Sequence, residues 1–306
     1  MKIHPISVIR VPSSDPWAHH MRSGNWPEAW QFSDQVLIER KGIPCWHLPR
    51  HYQYIWDGTP LNNKRVLIRC YHGLGDTIQF IRYLPLIKSI AKEVIVWAQP
   101  ALIPLLQTAQ GIDHIFPLHD GTPEVEYDVD IETMELPHIF RTTLQTIPFT
   151  IPYLHVHPAQ LPSTNKLKVG LVWQGGDWNV QRSMPFSTLA PLAELTYIDY
   201  YILQANPEAA GWDRSFGTHI PNNTLYKDAQ LIKGLDLLIS VDTMPAHLAG
   251  ALGVPVWTLL NTEHDWRWMD NRNDSPWYPT MRLFRQPSKG EWDSVIQQIR
   301  NELTSM

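Results

Sequence analysis

Cysteine is nearly absent, with Cys45 and Cys70 the only two in 306 residues. Two thiols cannot build a disulfide framework and lack the spacing of a metal site, so both read as buried thiols in a reducing compartment. An excess of positive charge is missing as well: 25 Lys and Arg stand against 30 Asp and Glu, a net charge of −5. A nucleic-acid binder usually carries a basic excess or a dense basic stripe, and the chain has neither. Long hydrophobic runs are also lacking. The longest, around Ala249 to Leu260, falls well short of the roughly 18 residues that cross a bilayer, and the proline-bearing start MKIHPISVIRVPSSDPW has no signal-peptide apolar region. These absences point to a soluble, cytoplasmic protein with no transmembrane segment and no nucleic-acid partner. Glycine, at 16 residues, is below its usual share of about 7%.

What is present describes a globular chain. Apolar residues make up 43% and charged residues 18%, ample for a core, and at roughly 150 residues per domain the length suggests about two domains. Proline, at 26 residues, exceeds its usual share of about 5% and marks many short elements. Ten of the 14 tryptophans cluster before residue 60 and between Trp257 and Trp292. Flat aromatic faces suit sugar rings and bases as well as cores.

Residues 15–40 predict two short helices joined at Ser23-Gly24-Asn25, with Pro27 in the first turn of the second. One helical hairpin cannot bury both faces alone, so it packs on the body of the protein or on a missing neighbour. From Lys64 onward, strands alternate with helices. Strands are expected at 65–71, 93–97, 113–118 and 127–132, with helices from Asp76 and over 100–107. Pro85 should bend or end the helix that begins at Asp76. Between Ile147 and Lys166, four prolines (Pro148, Pro152, Pro158, Pro162) make an extended connection, where the domain boundary is placed. A second series follows: strands at 168–173, 196–204, 236–241 and 254–260, with helices at 187–195, 227–234 and 245–252. The fold class is therefore α/β with largely parallel sheets, its two halves forming a cleft. Ligands in such sheets sit beyond the carboxyl ends of the strands, here after Tyr71, Trp173, Gln204 and Val241.

Each strand end offers chemistry. After Val241, the run Asp242-Thr243-Met244-Pro245-Ala246-His247 enters a helix whose first N–H groups lack intrahelical partners, an anion site that Thr243 and His247 can extend. Simple capping by Asp242 or Thr243 explains the same run without a ligand. His72-Gly73-Leu74-Gly75-Asp76 begins like a dinucleotide fingerprint, but Ile78 breaks it, which excludes NAD. Gly73 and Gly75 let another group approach the backbone, and Asp76 is either a general base toward a hydroxyl or a helix N-cap. Gln174, Gly175 and Arg182 can hold a diphosphate, against an exposed loop arginine as the plain alternative, and Gln204 can offer an amide to a base or ribose. Asp128-Val129-Asp130 has the form of a metal-nucleotide motif but sits in a strand pattern, and His155-Val156-His157 reads as an ordinary strand face. Asp265-Trp266-Arg267-Trp268 belongs to a long aromatic loop, as expected of a binding loop, with core packing of Trp266 and Trp268 equally open.

The segments HGLGDTIQFIRYLPLI, VGLVWQGG, RSMPFSTLAPL, LDLLISVDTMPAHLAGALGVPVWTLL, DWRW and DSPWYPTMRLFRQ, in this order, resemble the glycosyltransferase domain found after tetratricopeptide repeats in many bacterial proteins. That domain is similar to the ADP-heptose:lipopolysaccharide heptosyltransferases, glycosyltransferase family 9. The match runs from about Trp56 to the C-terminus, and the hairpin resembles a last tetratricopeptide-like unit on which a partner can dock. The resemblance implies a GT-B fold of two Rossmann-like domains facing across a cleft. It corresponds to a hairpin and linker at 1–58, an acceptor domain at 59–160 and a nucleotide-sugar domain at 161–306, and it allows the last helix to pack back on the N-terminal domain. By the same resemblance Asp76 is the catalytic base, Arg182 contacts the donor phosphates, and Asp242, Thr243, Met244 and His247 form the donor segment. His72, Gly73, Gly75, Arg267 and Trp268 fall toward the acceptor. The implied reaction is an inverting, metal-independent transfer from a nucleotide sugar to a glycan or protein hydroxyl, with no cofactor. A non-catalytic sugar-nucleotide or glycan-binding module and another GT-B activity, such as a nucleotide-sugar epimerase, stay open. The sequence departs from the family pattern at His72, where glutamine is frequent, in the short loop between Gly176 and Arg182, and at Pro245.

Overall fold

The computed structural model describes residues 15–221 and 223–306, the Trp178 side chain excepted. The chain forms two compact units, one running to Tyr153 and taking in Asp265–Asn271, the other made of Leu154–His264 and Arg272–Met306.

The first unit opens with α1 (Pro16–Ser23) and α2 (Trp26–Glu39). Asp15 caps α1 by accepting from the Trp17 N–H at 2.8 Å, and Gly24, at φ 86°, ends it in the left-handed region where a side chain is strained. Trp26 and Trp30 are buried, and the Trp30 indole N–H donates to Thr142 O at 2.7 Å. The rings of Trp17 and Trp26 meet Trp266 edge-on at 5.5 and 6.4 Å. Truncating either buried indole to alanine would cost about 3–5 kcal/mol. This tryptophan face packs within the first unit, which takes in residues 15–58.

The sheet of this unit is built from β1 (Arg65–Arg69), β2 (Glu93–Ala98), β3 (His114–Pro117) and β4 (Val129–Glu132), in the order β3-β2-β1-β4 and parallel throughout. In register, Val66 lies opposite Val94 and Val129. Helices α3 (Leu74–Phe80), α4 (Leu84–Ile90), α5 (Ile103–Leu106) and α6 (Leu136–Ile139) connect the strands. Elements cover both faces, which is why β1 and β2 read as near-continuous apolar runs. Helix α3 starts two residues before the expected Asp76. Pro85 does not end a helix either: it sits in the first turn of α4, where its missing N–H is not needed, and a 3₁₀ turn at Ile81–Tyr83 precedes it.

The second unit holds β5 (Leu167–Val172), β6 (Ile198–Ile202), β7 (Thr218–His219), β8 (Leu237–Val241), β9 (Val256–Leu260) and β10 (Met281–Arg285), ordered β10-β9-β8-β5-β6-β7 and again parallel. Helix α7 spans Leu225–Lys233, α8 Met244–Leu252 and α9 Asp293–Thr304. The helix expected over 187–195 is a 3₁₀ run at Phe186–Glu194, because Pro191 inside it breaks an α-ladder. The last helix, α9, contributes to this unit's own core. Val295, Ile296, Ile299 and Leu303 recur at helical spacing and join Leu189 and Leu192. Gly250 in α8 is required by close approach, since a Cβ there would lie 2.4 Å from the Tyr278 ring.

Two sequence alternatives resolve as structure. Asp128 and Asp130 pair with Arg65 and Arg69 at 3.0 and 2.6 Å. His155 and His157 are exposed in irregular chain and not on a strand face. Among the described residues no helix is long and apolar enough to cross a membrane, and no group of three or more metal-ligating side chains occurs.

Candidate functional site

In the first unit, β1 runs out through Cys70 and Tyr71 to His72 and Gly73, and α3 begins at Leu74. Asp76, in the first turn of α3, accepts from the Gly73 N–H at 3.0 Å on Oδ2 and from Arg267 Nη2 at 2.9 Å on Oδ1. Both carboxylate oxygens are therefore held, and the side chain is 11% exposed. The capping alternative holds in part, because Asp76 reaches back to the helix start. It does not account for the ion pair, which joins residues 191 positions apart. Arg267 is itself anchored by Asp265, with Nε at 3.5 Å from Oδ1. Trp268, expected near an acceptor, is fully buried and presents no face to a ligand; core packing accounts for it and for Trp266. Gly73 is exposed and Gly75 half-buried beside the aspartate.

His72 lies next to a charge cluster that sequence reasoning missed. Its Nδ1 stands 2.9 Å from Glu132 Oε1, with the geometry of an ion pair and not of a straight hydrogen bond. Its Nε2 is buried and meets no hydrogen-bond partner among the described residues. Glu132, the last residue of β4, also accepts from the Tyr71 N–H at 3.2 Å, the Thr133 hydroxyl at 2.9 Å and the Met134 N–H at 2.5 Å. Glu135 accepts from the N–H groups of Glu132 and Trp56, both at 2.9 Å, and pairs with Arg40 at 3.2 Å. Burial pulls the His72 pKa down, but Glu132 first and then Asp76 and Glu135 outweigh it and lift it from the ordinary 6.5 to about 9. Burial pushes the Glu135 carboxyl up despite Arg40 and its two N–H donors. A small recess with a cavity volume of about 20 Å³, open to solvent, is lined by His72, Glu132, Glu135 and Arg40 together with the segment 51–54 and Met134. The available signal was a glutamate ending an apolar strand, a costly placement unless it is used.

In the second unit, β8 ends at Val241 and α8 begins at Met244, with Thr243 as N-cap. Thr243 makes no side-chain cap bond, so capping does not use its hydroxyl. Met244 and Pro245 occupy the first turn; Pro245 has no N–H and the Ala246 N–H donates to Thr243 O at 3.0 Å, so the Met244 N–H is the amide of that turn that intrahelical bonding does not use. Arg182 is buried and donates from Nη1 to Asp242 O at 2.7 Å, which overturns the exposed-loop alternative. Asp242 Oδ2 is 3.9 Å from Arg182 Nη1, and Asp242 Oδ1 is 3.9 Å from His247 Nε2. The Tyr278 hydroxyl holds His247 Nδ1 at 3.0 Å, an orienting contact that sequence reasoning did not foresee. Gly175 lies against the guanidinium: a Cβ there would be 3.4 Å from Arg182 Nη2. Gln204 Oε1 accepts from the Trp173 and Gln174 N–H groups at 3.1 and 2.9 Å, and its Nε2 donates to Ala205 O at 3.3 Å. The amide thus stitches the loop, while Gln174 Nε2 donates to Ala210 O at 3.2 Å. A buried arginine, a histidine and a helix start at one strand end form a site suited to a diphosphate.

Two α/β units with all-parallel sheets, their polar groups gathered at strand ends, have the fold of glycosyltransferase family 9. Residues 209–289, which include the run Asp242 to His247, match that family, described as glycosyltransferase family 9 (heptosyltransferase). The family 9 glycosyl transferase of Veillonella parvula covers 81% of this chain and 91% of its own, with TM-score 0.54 at 12% identity. The E. coli heptosyltransferase WaaC with ADP covers 79% and 99%, with TM-score 0.54 at 13% identity. Among curated proteins, Protein FlbA of Caulobacter vibrioides is 25% identical over 293 residues, an alignment that takes in 81% of this chain and 48% of FlbA. The chain thus spans about half the length of that relative.

Proposed function

We propose that the chain is a glycosyltransferase that moves a sugar from a nucleoside diphosphate donor to a hydroxyl of a glycan or protein, with inversion and without a metal. The observation that carries this reading is the donor set of the second unit: Arg182, Asp242, Thr243 and His247 gathered at the start of α8, within and beside the stretch that matches the family. Positive charge from Arg182 and the α8 N-terminus would take up the charge that develops on the leaving diphosphate. Asp76 would remove the proton from the acceptor hydroxyl, whose oxygen then attacks the anomeric carbon on the face opposite the diphosphate. Gly73 and Arg267 fix both carboxylate oxygens, so the base meets its substrate already oriented.

The Arg267 ion pair also favours a second reading, a non-catalytic sugar-nucleotide or glycan-binding module in which Asp76 is an anchor. Nucleotide-sugar consumption separates the two. Because WaaC is solved with ADP, ADP-sugars are the first donors to test, followed by UDP-, GDP- and CDP-sugars. Asp76→Asn should lower turnover by about 10²–10⁴-fold while the nucleotide-induced rise in melting temperature persists. Arg182→Ala should abolish that rise. Full turnover in Asp76→Asn would remove the base assignment, and no donor consumption by the wild type would leave the binding module.

A further inference from the structure

The segment 265–271, which carries Arg267, belongs to the first unit together with the helical hairpin and Asp76. Its backbone is strained. Met269 has φ 51° and ψ 171°, a conformation that suits glycine, and Asn271 follows at φ 44°. Two left-handed residues within three positions persist only where their surroundings hold them.

The hairpin supplies that hold. Asp270, between the two strained residues, donates its N–H to Arg22 O at 3.0 Å, and its Oδ1 accepts from Arg22 Nε at 3.0 Å and Nη2 at 2.7 Å. The Trp266 ring meets Trp17 of α1 and Trp26 of α2 edge-on. Gly24, between the two helices, lies against Met269: a Cβ there would come within 3.0 Å of Met269 Cε. The Trp17 indole N–H donates to Ser33 Oγ at 3.1 Å, so α1 and α2 hold the segment as one piece.

Arg267 sits among these anchored residues. Its N–H donates to Asp265 Oδ1 at 3.0 Å, and its guanidinium lies 5.4 Å over the Trp266 ring and 5.6 Å over the Phe80 ring. From there Nη2 reaches Asp76 at 2.9 Å, one turn before Phe80 on α3. The Arg22–Asp270 pair adds little to overall stability, because its side chains are 25% and 44% exposed. What it fixes is direction: the turn from Trp266 to Asn271 decides where the Arg267 side chain points.

We infer that the hairpin α1–α2 is a positioning clamp for the proposed base, in which Arg22 holds Asp270, the turn holds Arg267, and Arg267 orients Asp76. Arg22 and Asp270 act only through Arg267 and are positioning residues. A carboxylate held by the Gly73 N–H alone could turn about its side-chain torsions, and the guanidinium removes that freedom. The inference rests on the transferase reading, in which Asp76 takes the acceptor proton, and gives the hairpin a part in it.

The test is consumption of ADP-, UDP-, GDP- and CDP-sugars by the full chain, with methyl glycosides and a serine-containing peptide as acceptors. It is joined to the NMR resonance of the Arg267 Nε–H, assigned by its loss in Arg267→Lys. Arg22→Ala should lower kcat by about 10–100-fold, the order of loss that a misplacement of about 1 Å brings. The donor KM and the nucleotide-induced rise in melting temperature should stay as in the wild type, because the donor set belongs to the second unit. Asp270→Asn, which keeps the backbone bond and removes the charge, should act in the same direction by less. In an Asp76→Asn background Arg22→Ala should have no further effect, since the group it positions is gone, whereas a general loss of structure would lower both alike. The Arg267 Nε–H should also exchange with water faster in Arg22→Ala, a readout that needs no turnover. An unchanged kcat in both variants, an equal loss in the Asp76→Asn background, or an unchanged Arg267 resonance would overturn the inference. A wild type that consumes no donor sinks the transferase reading, and the Arg267 resonance then decides by itself whether the hairpin holds that side chain.

Discussion

Replacing Glu132 with glutamine should reverse the titration of His72. In the wild type the ring is buried, which by itself favours the neutral form, yet Glu132 at 2.9 Å, with Asp76 and Glu135 behind it, lifts the pKa from 6.5 to about 9. A folded-state pKa above the unfolded one means that the charged ring stabilises the fold fully below pH 6.5. That stabilisation is lost as pH rises through about 9. The interval of about 2.5 pH units, at about 1.4 kcal/mol for each, amounts to about 3–4 kcal/mol. Glutamine at position 132 keeps an acceptor for the Met134 N–H but removes the nearest charge. Burial, the largest single influence, then prevails, and the pKa falls below 6.5. The stability change reverses sign: in Glu132→Gln the neutral ring is the favoured form, and stability is lost as pH falls below 6.5. The assay is an NMR titration of the His72 Cε1–H signal, assigned by its loss in His72→Gln, together with urea unfolding at pH 6 and pH 9. A wild-type His72 that titrates at or below 6.5, or the same pKa in both proteins, would show that Glu132 does not hold the ring charged.

Two further outcomes follow from packing. Gly250→Ala drives a methyl into the Tyr278 ring, which would stand 2.4 Å away, so the ring must move and His247 loses its 3.0 Å hydroxyl contact. The expected loss is about 1–3 kcal/mol in urea unfolding together with a smaller melting shift from ADP, and an unchanged midpoint would contradict it. Cys70 is fully buried, and burial, reinforced by Glu132, pushes its thiol far above the ordinary range. Iodoacetamide should therefore leave Cys70 unmodified in the native protein and modify it in urea, as mass spectrometry reads directly.

The strands were legible because parallel sheets covered on both faces need unbroken apolar runs, and RVLIR, EVIVWA, LLISV and VWTLL are such runs. The starts of α3 and α8 were legible within two residues from glycine, proline and aspartate at the strand ends. Less visible was MRLFR, the edge strand β10, whose alternating Arg282 and buried Leu283 hide it among loop residues. The 3₁₀ run at 186–194 misled a periodicity reading because its apolar spacing is close to helical.

The sequence by itself determined the α/β class, the parallel sheets and the identity of the groups at each strand end, since these follow from local patterns of two to ten residues. What those groups meet was set by packing between segments distant in the chain. Arg267 reaches Asp76 across 191 positions, Arg182 turns inward to Asp242 across 60, and Arg40 pairs with Glu135 across 95. The spacing of residues along the chain carries no information about such pairs, because the partners are chosen by the way whole strands and helices stack. The His72 cluster is the clearest case: a histidine, two glutamates and an arginine from three separate segments acquire a shared charge balance only when β1, β4 and α2 are packed together.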